Sequence, residues 1–177
     1  AAAALAAYNR RTHERMTMQR CTNYFVYAMP MGRLSIAADE TGICAIDFGD
    51  VAQDGPRRPS ALTNKAATQL QEYFAGKRRF FDVPLSPHGT EFQLKVWKAL
   101  ETIPYGQTRT YAEIAEMVGS PKGFRAVGLA NNKNPLPIVV PCHRVIGADG
   151  KLVGYAGGLK IKKYLLDLEG VDTSKMK

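Results

Sequence analysis

Cysteine is scarce in this chain and is not arranged in pairs. Its three cysteines are Cys21, Cys44 and Cys142. An odd, sparse set without CxxC spacing argues against a disulfide scaffold and for a reducing compartment. The three histidines show no HxxxH spacing that would mark zinc. His13, Cys21, Cys44 and His88 are too scattered to read as one site, so no metal or cofactor is expected. No stretch approaches the ~20 apolar residues of a membrane span. Residues 1–7 are alanine-rich but have neither a basic leader nor a full apolar core, so they do not read as a secretory signal. Residues 1–20 read as an appended arm, with Met16 or Met18 as a natural start. Acidic residues are in the minority, 16 against 24 Lys and Arg, giving a net charge of +8. That balance favours an anionic partner, nucleic acid or an acidic membrane surface. On charge alone a basic protein without a polyanion partner fits equally well.

What is present is an ordinary globular composition, 45% hydrophobic and 23% charged over 177 residues. That is enough chain for one domain or two small ones. Short apolar runs at 24–29, 33–38 and 43–48, separated by turn residues, predict a β-meander. Residues 49–59 read as a loop. Ala66, Leu70, Tyr73 and Phe74 recur at helical spacing, predicting a helix over 64–75 closed by Gly76. No chemistry is visible in this part, which reads as a scaffold. After a linker at 86–89, Thr90-x-x-Gln93 forms a capping box, and Phe92, Val96, Ala99 and Leu100 give the next helix its buried face. Trp97 lies beside that face, as core or interdomain packing. Tyr111, Ile114, Ala115 and Val118 mark a further helix, ended by Gly119. Ser120 as N-cap and Pro121 at the first position predict another over 121–131. Two short helices so joined make a helix-turn-helix pattern, whose second helix commonly enters a DNA groove, or else a plain helical hairpin. Gly123, Ala126, Gly128 and Ala130 give that helix a low profile, suited to a minor groove or to a closely packed neighbour. Arg125 is the long charged residue in its midst. Phe124 is expected to pack inward with Val127; a wedge in the groove is the alternative.

The chemistry concentrates at Pro141-Cys142-His143-Arg144-Val145. It follows an apolar run, 138–140, stiffened by prolines at 135, 137 and 141. A buried cysteine usually just packs, but a thiol beside His143 and Arg144 can become a thiolate nucleophile. In extended chain, consecutive side chains point to opposite faces. His143 can therefore serve Cys142 only if the chain turns there, or through a water. Residues 154–158 form a glycine-rich loop without the GKS/T ending of a phosphate loop. The last helix spans 159–169, with Ile161 and Leu165 on one face and Glu169 continuing it. A carboxylate there wants a partner, unless it is a solvated helix end.

Asn134-Pro135, Ile138-Val139-Val140 and the Pro-Cys-His-Arg-Val run resemble the signature of the O6-alkylguanine-DNA alkyltransferases, over residues 90–170 and more loosely back to Tyr24. The resemblance implies an α/β fold in two parts: a small N-terminal β-sheet domain (21–85, ribonuclease-H-like) and a mainly helical domain with a helix-turn-helix (90–170), followed by a tail (171–177). It implies irreversible transfer of an alkyl group from O6-alkylguanine, and O4-alkylthymine, in double-stranded DNA to Cys142. Glu169 would orient and charge His143 and so, through a water, lower the Cys142 pKa. The Tyr111 phenol would assist the leaving base, and Asn134 would be the hinge tying the recognition helix to the cysteine segment. Arg125 would fill the gap left by an extruded nucleotide. Gly123, Ala126 and Gly128 would lie along the minor groove, with Lys122 and Arg144 adding phosphate attraction, a structural role being the alternative for Arg144. Val145, Tyr155, Ala156 and Gly157 would wall the base pocket. Two positions depart from the family pattern: Ala156, where serine is frequent, and Phe124, where a small residue is. The implied protein is a cytoplasmic monomer, nucleoid-associated in a prokaryote. Two rivals are a lesion-sensing alkyltransferase-like protein, in which the nucleophilic cysteine is replaced, and a helix-turn-helix regulator with a sensor cysteine.

Overall fold

The computed structural model describes residues 21–176; the expected arm at 1–20 lies outside them. β1 (Asn23–Met29), β2 (Gly32–Ala38) and β3 (Ile43–Phe48) pair antiparallel in chain order. β2 is the central strand and is buried from Leu34 to Ala38. Leu34, Ile36 and Ala38 belong to the main core, while Ala37 belongs to a smaller cluster with Cys21, Tyr24 and Cys44. Against the expectation of unpaired thiols, Cys21 and Cys44 form a disulfide, with Cα atoms 6.1 Å apart. The meander is the reason. Thr22 and Asn23 lie beside Ala38, as does Ile43 from the other strand. The bridge therefore spans one strand whose residues there are alanines, a closeness that a separation of 23 residues does not announce. A disulfide does not favour a reducing compartment, contrary to the expectation from cysteine count.

α1 (Ala61–Phe74) begins earlier than the apolar spacing suggests, because Ser60 and Thr63 form a capping box ahead of it. Its buried face, Ala66, Ala67, Leu70, Tyr73 and Phe74, packs against the sheet. The free edge of β3 is covered. Ile43 N–H donates to Pro84 O (2.9 Å), Ser86 N–H to Ile43 O (2.8 Å) and Ile46 N–H to Pro135 O (2.8 Å). The last bond fastens the sheet to the segment that leads to Cys142.

The remaining helices are α2 (Glu91–Leu100), α3 (Tyr111–Met117), α4 (Phe124–Asn132) and α5 (Leu159–Leu168). A short parallel pair, β4 (Arg109–Thr110) and β5 (Val145–Ile146), joins the start of α3 to the residues after the cysteine. Trp97 is core: its indole N–H donates to Ala130 O at 2.8 Å, locking α2 to α4. The connection between α3 and α4 differs from the expectation. Pro121 and Lys122 lie in a turn closed by Gly123 N–H to Ser120 O (2.8 Å), so Gly123, not Ser120, caps α4. That start sets the phase of the helix. Val127, Ala130 and Asn131 face inward, and Phe124, expected inside, is 49% exposed. One core runs through both parts of the chain, from Leu34 and Tyr73 to Trp97, Ile114, Val127, Cys142 and Leu165. Among the described residues no helix is long and apolar enough to cross a membrane.

Candidate active site

The segment before the cysteine is a tight loop, not an extended run. Asn134 Nδ2 donates to Val140 O at 2.8 Å, and its Oδ1 accepts from Leu136 N–H at 3.0 Å, so one amide closes both ends of it. Within the loop the buried Ile138 adopts φ 74°, a left-handed conformation that costs a β-branched residue about 1–3 kcal/mol. The prolines at 135, 137 and 141 cannot donate to a strand ladder, which is why an apolar run of strand-like composition folds this way. Cys142–Arg144 then form one 3-10 turn, with Arg144 N–H donating to Pro141 O at 3.0 Å. Three residues per turn direct successive side chains to three different sides. The chain does turn at His143.

Glu169 is the hub. It caps α5, but it is buried and not frayed. Its Oε2 bonds His143 Nε2 and accepts from the Tyr73 hydroxyl at 2.6 Å. Its Oε1 accepts from Arg144 Nε at 2.7 Å and from Gly106 N–H at 3.0 Å. Burial alone would raise this carboxyl; the bonds and charges of His143 and Arg144 outweigh it and hold the pKa low. Arg144, placed on DNA phosphates with a structural role as the alternative, is turned inward as the alternative has it: it is 6% exposed and also donates through Nη1 to Ile103 O at 2.7 Å. The physical reason is the 3-10 turn, which directs it back at Glu169.

The thiol does not follow the expected direction. Cys142 is 4% exposed, and burial pushes it up to about 11, although the Asn134 amide, the Lys162 charge and the backbone N–H groups of Cys142 and His143 pull the other way. Burial also lowers His143, against its bond to Glu169. The two shifts describe one state: at rest the thiol keeps its proton and the imidazole is neutral. A neutral imidazole is able to accept a proton. Its Nδ1 has no partner among the described residues and is the ring nitrogen left to do so. Glu169→Gln is therefore expected to slow transfer by about 10²-fold or more. Its rate should also fall off at a lower pH on the acidic side, because an imidazole without the carboxylate is less basic. Rates measured against pH check this. The change also leaves the buried Arg144 charge uncompensated, so thermal denaturation should show a loss of about 3 kcal/mol.

Lys162 is fully buried yet was not legible as a site residue. Its Nζ donates to Val145 O (2.6 Å), Val153 O (3.0 Å) and Gly154 O (3.3 Å), and burial lowers it to about 8. The sequence does hold a signal for it. Lys162 shares the stripe of Leu165, Leu166 and Glu169 at helical spacing, so it had to lie inside. Val153 O also accepts from the Tyr111 hydroxyl at 3.0 Å. Lys162 and Tyr111 together thus hold the start of the glycine-rich loop. Burial, followed by the nearness of Cys142, pushes the Tyr111 phenol up to about 12, which keeps it a proton donor. In the loop, the Tyr155 ring meets Phe48 of β3 edge-on at 5.9 Å, and its hydroxyl is buried without a partner among the described residues. Gly157 lets the loop lie close to the Phe48 ring: a Cβ there would come within 2.8 Å of Phe48, so the ring would have to shift. Ala156 is exposed, and Val145 is fully buried beside the cysteine turn.

The outer side of α4 carries Phe124, Arg125, Ala126 and Leu129, all exposed, Leu129 by 68%. The Arg125 guanidinium lies 6.0 Å from the Phe124 ring centroid. Lys122 is exposed in the turn before the helix. Gly128 lies over the Tyr111 ring, a Cβ there falling 3.9 Å from it, so α4 adjoins the cysteine site. An apolar surface with one guanidinium differs from the ordinary polar exterior of a helix. Among the described residues no group of His, Cys, Asp and Glu gathers as a metal site.

Comparison with known proteins adds a family. The profile of the 6-O-methylguanine DNA methyltransferase DNA-binding domain matches residues 91–171, and that of the same family's ribonuclease-like domain matches 23–87. The methylated-DNA–protein-cysteine methyltransferase of Methanosarcina acetivorans is 53% identical over 152 residues, covering 83% of this chain and 97% of its own. The Mycobacterium tuberculosis protein of the same name is 62% identical over 152 residues, covering 83% and 92%. The crystal structure of M. tuberculosis OGT in complex with DNA superposes with a TM-score of 0.79 at 46% identity, covering 84% of this chain and 92% of that one.

Proposed function

Since this chain belongs to the 6-O-methylguanine DNA methyltransferase family, we propose that it repairs DNA by direct reversal, moving the alkyl group of O6-alkylguanine, and of O4-alkylthymine, onto Cys142 in one irreversible turnover. The observation that carries this reading is a free, buried Cys142 on the same 3-10 turn as a His143 bonded to a buried carboxylate. The S–C bond forms as the bond from the alkyl carbon to the base oxygen breaks. The thiol proton passes through a bridging water to His143 Nδ1, and Glu169 stabilises the imidazolium. The electron pair leaves on the base, which takes a proton. Tyr111 supplies it by turning its hydroxyl from Val153 O to the base. No metal or cofactor enters these steps.

The lesion is out of reach within a duplex, so the nucleotide is extruded at a cost of a few kcal/mol. The exposed side of α4 faces the minor groove, with Arg125 in the vacated stack and Phe124 and Leu129 against the groove walls. Asn134 fixes the cysteine loop behind it, and Tyr155, Ala156, Gly157 and Val145 enclose the base. The protein acts as a monomer on double-stranded DNA.

The test is transfer itself. Incubation with duplex DNA carrying a radiolabelled O6-methyl group should leave stable label on protein, one equivalent at most. Lesion binding without label would make the chain a sensor, and neither binding nor label would overturn the reading. Affinity should also fall steeply with salt, because each phosphate neutralised by Lys122 or other exposed basic residues releases counterions. Titrations at several salt concentrations check this, and a flat response counts against α4 as the docking face.

A further inference from the structure

The part of the chain that reads as scaffold reaches into the site. Tyr73 lies on α1, is fully buried, and donates its hydroxyl to Glu169 Oε2 at 2.6 Å, across 96 residues of sequence. This is the same oxygen that bonds His143 Nε2. Burial, and then the negative charge of Glu169, holds the phenol far above its ordinary pKa, so it is a donor at every working pH. Its ring is fixed by Phe74, Phe81 and Tyr105, at centroid distances of 5.5, 5.6 and 6.1 Å. We propose that Tyr73 is a positioning residue for alkyl transfer, through which the N-terminal sheet-and-helix unit sets both the orientation and the basicity of the His143–Glu169 pair. The proposal rests on the alkyl-transfer reading above.

Glu169 has two oxygens, and the backbone N–H of Gly106 and the Arg144 guanidinium already occupy Oε1. Among the described residues, Oε2 is left to Tyr73 and His143 alone. A hydroxyl bonded there fixes the plane of the carboxylate, and with it the imidazole. It also draws charge from Oε2, so His143 is less basic than it would be with the carboxylate to itself. The other groups that act on His143 are the Arg144 and Lys162 cations, which lower it, and the Cys142 thiol beside it on the turn. None of them changes when the hydroxyl is removed. Tyr73 touches no substrate; it acts through Glu169.

The experiment follows the rate of reaction with the free O6-alkylguanine base against pH, which leaves DNA binding out. Tyr73→Phe keeps the ring and loses the hydroxyl. Its acidic limb should move up by about one pH unit, and its plateau rate should fall several-fold as the imidazole loses its fixed orientation. Site-specific 3-fluorotyrosine at position 73, a more acidic donor of nearly the same shape, should move the limb down. Tyr27→Phe is the control for mere packing. Its hydroxyl bonds Thr63 (2.9 Å) and Asn64 (2.7 Å) of the same helix, away from Glu169. It should lower the melting temperature and leave the pH profile in place. A Tyr73→Phe protein that melts lower but keeps the wild-type profile, or a fluorinated protein whose limb does not move, overturns the proposal and leaves the transfer reading intact. A wild-type chain that takes no alkyl group overturns the reading itself.

Discussion

Cys142→Ser is expected to reduce alkyl transfer below detection while the protein still binds alkylated duplex. A serine hydroxyl is a far poorer nucleophile than sulfur and does not ionise at neutral pH. It is nearly the same size, and the Asn134 amide that interacts with the thiol can bond it, so the buried turn should survive. Peptide mapping of the wild-type protein after reaction should find the alkyl group on Cys142. It should not be on Cys21 or Cys44, whose sulfurs are joined to each other. Alkyl on either of these, or transfer by the serine variant, would remove Cys142 from the role. The high pKa of the resting thiol, about 11, adds a second expectation. Simple thiol reagents at neutral pH should modify Cys142 slowly, because a buried thiol with so high a pKa is almost wholly protonated there.

Arg125→Ala should impair repair of duplex DNA on the order of 10²-fold, and reaction with the free base less than about 2-fold. The difference is the extrusion cost of a few kcal/mol, which only the duplex demands. Arg125 is exposed on α4 and forms no ion pair with another side chain among the described residues; its ring neighbour is Phe124. Folding stability should therefore hardly change. Parallel single-turnover rates on the two substrates decide it. An equal loss on both would mean that Arg125 supports the fold. Phe124→Ala separates the neighbour's role: with 49% of its surface exposed, it should cost duplex affinity more than stability.

The sequence alone determined much of this protein because much of it is local. The meander, the Thr90 capping box and the α3 stripe of Ile114 and Ala115 follow from turn residues and periodicity over a few positions. The cysteine motif was legible as a resemblance because its residues are contiguous. Where local rules competed, the chain alone did not decide. Ser120 and Pro121 satisfy the preferences of a helix start, yet the turn they form hands the cap to Gly123 and rotates Phe124 outward. Residues 138–140 have strand composition, but three prolines and the Asn134 amide fold them into a loop. Other features are products of distance in sequence. The Cys21–Cys44 bond depends on strand pairing, and the inward turn of Arg144 depends on where α5 ends. Tyr73 reads as an ordinary stripe position and Lys162 has no reading of its own, because periodicity reports only which face is buried. What a buried polar atom meets there is set by the partner element. In this protein the partners are the Glu169 carboxylate and the carbonyls of Val145 and Val153, brought together only when the two parts of the chain close on one core.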